Sequence, residues 1–205
     1  MKSVLLLLLL FISVRARSQS VWEERIEFIE AGLFIHSISI PFKASNGFLK
    51  LNRLPGLRVG ASIPINDNKL GLAYRPSLSF YHQKKLHYGW HFNNQFALSY
   101  LKHKQFSPEA LAGIGYLHTF EDAALYKIDK GKVNQKRDWG RAQFTISLGL
   151  GIGWRFSKTS QWAAFAQHEV LLQWPFATKG EVAFIVHNRT HIGLRKFIGA
   201  NTLND

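Results

Sequence analysis

Residues 143–156 constrain this chain more than any other segment. Phe144, Ile146, Leu148, Leu150, Ile152, Trp154 and Phe156 fall on one parity, and Gln143, Thr145, Ser147, Gly149, Gly151, Gly153 and Arg155 on the other. Successive side chains of an extended strand point to opposite faces, so this segment is a strand with one wholly apolar face. It runs longer than the five or six residues usual for soluble strands, and covers the roughly nine to eleven that a tilted strand needs to cross a bilayer. The other face is not of the solvent type, because its glycines leave room inside a narrow barrel. A soluble sandwich would need an equally long partner sheet to cover the apolar face.

The same period of two divides the chain into about eight stretches: Leu33–Phe42, Leu57–Asn66, Leu70–His82, Leu86–Leu101, Glu109–Phe120, Gly140–Phe156, Trp162–Pro175 and His187–Ile198. In the fourth, Tyr88, Trp90, Phe92, Phe96, Leu98 and Tyr100 oppose His87, His91, Asn93, Gln95 and Ser99. The connections alternate as well. Asp67–Lys69, His103–Pro108 and Ser157–Gln161 are short, whereas Lys43–Gly56, Glu121–Trp139 and Ala177–Val186 are long. Short turns at one end and mostly long loops at the other mark an all-β, antiparallel up-and-down transmembrane β-barrel, with the long loops extracellular. The mean hydropathy of −0.08 fits, since alternation cancels on averaging, and no apolar run is long enough for a spanning helix.

The N-terminus points to export. Lys2 is followed by an apolar run from Val4 to Val14 and the small-x-small site Ala16-Arg17-Ser18, the pattern of a secretory signal peptide. The organisation expected is a signal peptide over 1–18, a periplasmic segment over 19–32, the barrel over 33–198 and a tail over 199–205. The chain has no cysteine, which excludes a lipoprotein anchor, disulfides and thiol chemistry. A net charge of +13 would suggest nucleic acid for a cytosolic protein. For an exported one the anionic partner is lipid phosphate, and no nucleic acid is expected.

Aromatic residues collect at strand ends, as interfacial belts do. Tyr100, Trp154, Phe156 and Trp162 would mark the periplasmic rim, and Phe80, Tyr88, Phe120, Trp174 and Phe176 the outer rim. Inside, Arg58, Arg75, Arg155, Arg189, His191 and Arg195 would meet Gln167, Glu169 and Gln173 in a structural polar network. Eight strands leave an interior that side chains fill, so a wide pore is not expected. Glu169 is the one clear interior carboxylate in this reading. The acidic run Glu23, Glu24, Glu27 and Glu30 reads as a segment before the first strand that could neutralise Arg155 or Arg195 at the periplasmic mouth.

The signal peptide, the alternating stretches and the long loop after the fifth resemble the small outer-membrane barrels of the OmpA/OmpX-like class. Gly115-Tyr116-Leu117-His118-Thr119-Phe120 and Lys136-Arg137-Asp138-Trp139-Gly140-Arg141 carry the same likeness. The resemblance implies an eight-stranded fold and an outer-membrane location. The chain departs from the class at its C-terminus, where His191–Ile198 is followed by seven further residues instead of ending on an aromatic.

The function expected is a structural or interaction role, with lipopolysaccharide or a protein partner contacted through the extracellular loops. Lys127, Lys130, Lys132, Lys136 and Arg137 are the candidate basic contacts. One alternative is a lipid-A-modifying deacylase or acyltransferase, which needs a Ser nucleophile, a His base and a carboxylate near the outer leaflet. His36-Ser37, His82, His118 and His168-Glu169 are the histidine sites to weigh, but neighbours on a strand face opposite ways and no G-x-S-x-G is present. A second alternative is a soluble periplasmic barrel holding a small apolar ligand, with its faces inverted. No catalytic residue, cofactor or metal site is expected, since phosphate-loop, H-E-x-x-H and EF-hand patterns are absent.

Overall fold

A computed structural model describes residues 26–39, 54–66, 70–83, 87–100, 105–121, 125–129, 132–136, 139–157, 159–175 and 184–198. The strands are β1 (Phe28–Ser39), β2 (Leu54–Asn66), β3 (Leu70–Gln83), β4 (His87–Tyr100), β5 (Phe106–Glu121), β6 (Leu125–Asp129), β7 (Lys132–Lys136), β8 (Arg141–Arg155), β9 (Trp162–Trp174) and β10 (Ile185–Phe197). Eight of them close antiparallel into a barrel in the order β1-β10-β9-β8-β5-β4-β3-β2, and β6 and β7 form a separate hairpin. No helix among the described residues is long and apolar enough to cross a membrane, which says nothing of strands.

Closure is made between the two ends of the chain. Phe28 pairs with Phe197 and Ser39 with Val186, so β1 and β10 begin and end together. At the middle of this seam Gly32 lies opposite Gly193. A Cβ on Gly193 would lie 2.2 Å from the Ala31 carbonyl oxygen, and Phe165 of β9 fills the space beneath both glycines. The connections 67–69, 101–105 and 156–161 lie at the end that carries both termini. The connections 40–53, 84–86, 122–140 and 175–184 lie at the opposite, loop end.

The faces are those of a membrane barrel. The apolar side chains of alternate positions point outward, with Leu148 64%, Leu150 71% and Ile192 60% exposed. The polar parity points inward, where Thr145, Ser147, Gln95 and Asn93 are buried. A soluble barrel with an apolar ligand cavity would reverse this, and the reversal is not found.

Three expectations about boundaries need correction. β1 starts at Phe28 and not Leu33, which takes residues 28–32 out of the expected periplasmic segment. Glu30 masks the alternation there, because its carboxylate reads as solvent-seeking although it faces inward. β5 starts at Phe106 and not Glu109, because Pro108 reads as a turn residue. The span 121–139, read as one loop, contains the β6–β7 hairpin, in which Asp129 pairs with Lys132. Residues 1–18 and 199–205 lie outside the described residues, as do the side chains of Lys127, Lys130, Lys132, Lys136 and Arg137 and the whole of Phe176.

Candidate functional site

The lumen is built in tiers from inward positions of all eight barrel strands. Nearest the termini, Arg75 of β3 and Arg195 of β10 both grip Glu109 of β5. Arg75 donates from Nη1 and Nη2 to the two carboxylate oxygens at 2.6 and 2.9 Å. Arg195 donates from Nη1 and Nη2 at 2.7 and 2.9 Å. The Arg195 Nε also donates to Glu30 of β1 at 3.1 Å, and Arg58 of β2 lies 3.1 Å from the other Glu30 oxygen. All five side chains are buried. Such ions are tolerated away from water because each charge meets an opposite one in bidentate or shared hydrogen bonds.

The middle tier is made of amides and hydroxyls. Arg58 donates to Gln95 at 2.9 Å and Gln167 at 3.2 Å. Asn93 donates to Ser147 and to Glu169, each at 3.2 Å. His191 Nε2 lies 3.3 Å from Glu169. Above this, Arg189 Nη1 donates to His91 Nδ1 at 2.8 Å, which makes that nitrogen the bare one, so His91 Nε2 donates to Thr145 at 2.9 Å.

Toward the loop end the lumen turns apolar. Phe34, Tyr81 and Leu117 pack as one buried cluster, and the Arg189 guanidinium sits 5.4 Å from the Phe34 ring centroid and 5.9 Å from that of Tyr81. His36 meets Tyr81 edge-on at 4.5 Å, and His187 bonds Gln173 at 2.5 Å. Polar tiers below and this aromatic plug above fill the lumen.

At the termini end a mouth of about 430 Å³ remains, lined in part by Glu27, Arg75, Glu109, Arg155 and Arg195. Arg155 is the exception among the expected interior residues. It is only half-buried, and its guanidinium lies 3.8 Å above the Phe197 ring. Glu27, just before β1, accepts a hydrogen bond from Ser62 at 3.0 Å. Burial pushes its pKa up, an effect opposed by the Ser62 bond and by the charges of Arg75 and Arg195.

Arg58, Arg75, Gln167, Glu169, Gln173, Arg189, His191 and Arg195 are thus all buried. Arg58, Arg75, Gln167, Glu169, His191 and Arg195 join through shared partners, whereas Arg189 bonds His91 and Gln173 bonds His187. Glu169 is not the sole interior carboxylate, as the sequence reading had it, because Glu30 and Glu109 join it. Neither carries a local signal, since their partners stand far away along the chain. Outward aromatics stand along the strands, with Phe92, Phe96 and Tyr116 exposed in mid-strand, as well as at both ends. Phe80, Tyr88 and Phe120 adjoin at the loop end, with Tyr88 stacked on Phe120 at 5.1 Å, and Trp174 pairs with Phe144 there. Tyr100, Trp154, Phe156 and Trp162 stand exposed toward the termini end.

The histidine sites fall on different faces of the barrel, His36 inward and His82, His118 and His168 on the outward parity. His36 faces the lumen, and Ser37 of the same strand has the opposite parity. His168 lies on the outer face, bonded to Thr190 at 3.0 Å, while Glu169 is buried inside. His118 accepts from the Tyr116 hydroxyl at 2.6 Å and donates to the Trp139 carbonyl at 3.1 Å. Among the described residues no group of His, Cys, Asp or Glu could hold a metal ion.

No family model matches the chain, and no curated protein matches it in sequence. Solved structures do. Neisserial surface protein A (NspA) superposes with a TM-score of 0.54 at 10% identity, covering 82% of this chain and 95% of that one. The outer membrane enzyme PagL gives 0.47 at 10% identity over 80% and 97% of the two chains. Ail, the attachment invasion locus protein of Yersinia pestis, gives 0.45 at 13% over 83% and 98%. At these identities the likeness is one of fold, and the chain has the fold of the small eight-stranded outer-membrane barrels.

Proposed function

We propose that this chain is an exported outer-membrane barrel with a structural or interaction role, in which the loop end reaches lipopolysaccharide or a protein partner. The observation that carries the reading is the pairing of a lipid-compatible exterior with a filled lumen. Exposed Leu148 and Leu150 surround a core closed by the Glu109 ion pairs and by the Phe34, Tyr81 and Leu117 plug. With the lumen filled, solute passage is not its work, and contact falls to the surfaces at the two rims. In this orientation the termini end faces the periplasm, residues 1–18 direct export, and the outward aromatics of the two rims sit at headgroup depth. Lys127, Lys130, Lys132, Lys136 and Arg137 supply the basic contacts of the long loop toward lipid phosphates.

The test is heat-modifiability of the protein in fractionated cells, run boiled and unboiled on SDS gels. A mobility shift confined to the outer-membrane fraction is expected. A soluble periplasmic protein without a shift would sink the reading. Replacing the five basic loop residues with Gln should then weaken retention by lipopolysaccharide-containing vesicles while preserving the shift.

A further inference from the structure

The outer face is not uniform. Over the seam of β1 and β10, flanked by β2 and β9, it sinks into a groove of about 1140 Å³. Its shape follows from residue size: Ala31, Ala61 and Ala164 form the floor, while Leu33, Ile192 and Phe92 rise around it. The lining is almost wholly apolar, so a flexible hydrocarbon chain would fit it by dispersion contact. One end differs. Lys196 stands there, exposed, with its ammonium 5.8 Å above the Trp162 ring, at the termini rim of the barrel. The other charged residue along the groove is Glu30, whose carboxylate turns into the lumen toward Arg195 and Arg58.

Resting on the membrane reading above, we propose that this groove holds one phosphate-bearing diacyl lipid of the leaflet at the termini end. An acyl chain lies on the alanine floor, and the phosphate meets Lys196 beside Trp162. Charge decides against the competing occupant, a second copy of the chain. Two barrels in one membrane stand parallel, so face-to-face contact through this seam would bring two Lys196 side chains to one depth. Among the described residues no outward acidic side chain lines the groove to meet them. A lipid phosphate supplies the missing anion, and a Lys and Trp pair at a membrane rim suits headgroup depth.

The experiment is native mass spectrometry of the full chain, folded in detergent and titrated with phosphatidylglycerol or with diacylglycerol of the same acyl chains. One phosphatidylglycerol should be retained per barrel, and diacylglycerol retained about fivefold less, the factor expected for one Lys at a charged surface. Lys196→Gln should erase that preference without affecting folding. Ala61→Phe, which fills the floor, should abolish retention of both lipids, whereas Ala112→Phe on the far side of the barrel should leave it unchanged. Equal retention by the wild type, Lys196→Gln and Ala61→Phe would overturn the groove, as would an equal loss in Ala112→Phe. A stable dimer that excludes the lipid would overturn it in favour of self-association. Absence of a heat-modifiable form from membranes would overturn the underlying reading instead, and each variant's own gel shift keeps the two failures apart.

Discussion

Glu30 and Arg195 stand directly opposite each other across the seam, 165 positions apart in the chain, with the guanidinium Nε donating to the carboxylate at 3.1 Å. Glu109 takes four hydrogen bonds from Arg75 and Arg195, whereas Glu30 takes a single contact from each of Arg195 and Arg58. Removing one partner of a buried pair costs about 3–5 kcal/mol, because the other charge is left unpaired. Glu109→Ala is expected to lose about that much, and Glu30→Ala less. Urea unfolding in lipid vesicles, followed by the gel shift, measures both. A Glu109→Ala loss within the roughly 0.5 kcal/mol of an ordinary surface change would contradict the network.

Gly56 is tied to Phe34 by space alone. A Cβ at position 56 would lie 2.2 Å from the Phe34 Cζ, inside a ring position that is fully buried. Overpacking of this kind costs about 1–3 kcal/mol. Gly56→Ala should therefore destabilise the barrel, and Phe34→Leu should recover part of the loss when combined with it. Additive losses in the double variant would show that the two positions do not compete for one volume.

Leu148 reports on the solvent outside. It is 64% exposed midway along β8, so in water a change to Arg would be nearly neutral. At the middle of a bilayer the same change costs about 2–4 kcal/mol. Leu148→Arg should lower stability in vesicles by that amount and by much less in a loose detergent micelle. Equal stability in both would mean that this face never meets hydrocarbon.

Glu27 gives a pH dependence of defined sign. Its pKa is raised by burial, so its protonated form is the one favoured in the folded barrel. The stability it contributes is complete below the ordinary carboxylate value and is lost as pH rises through the raised one. Glu27→Gln should match the wild type in acid and exceed it at neutral pH, with the difference opening across that interval. Unfolding midpoints taken as a function of pH would refute this if the wild type gained on the variant as pH rose.

The exterior was the legible part of this fold. Phe144 to Phe156 alternate without interruption, and the strand can be read from the pattern alone, whereas His168 and Thr190 break the outward parity of β9 and β10. The lumen is less legible for a physical reason. Its members are selected by partners across the barrel, as Glu109 is by Arg195, and no spacing along the chain records that choice. Glu30 also stands near a strand start, where a carboxylate looks like the end of the pattern. The inward parity likewise hid the plug, since Phe34 and Leu117 belong to the polar face by position and to the core by chemistry. The β6–β7 hairpin is made of two five-residue strands, which a search for barrel-length strands passes over.

The ion pairs around Glu109 join β1, β2, β3, β5 and β10, so no run of consecutive strands can complete them. An open sheet that has not yet joined its first strand to its last leaves Arg195 without Glu30, while Arg58 keeps Glu30 on the neighbouring strand. The Glu30–Arg195 pair is therefore completed only at circularisation. An incompletely zipped barrel holds these two charges apart, at a cost to burying them in lipid that the closed barrel does not bear.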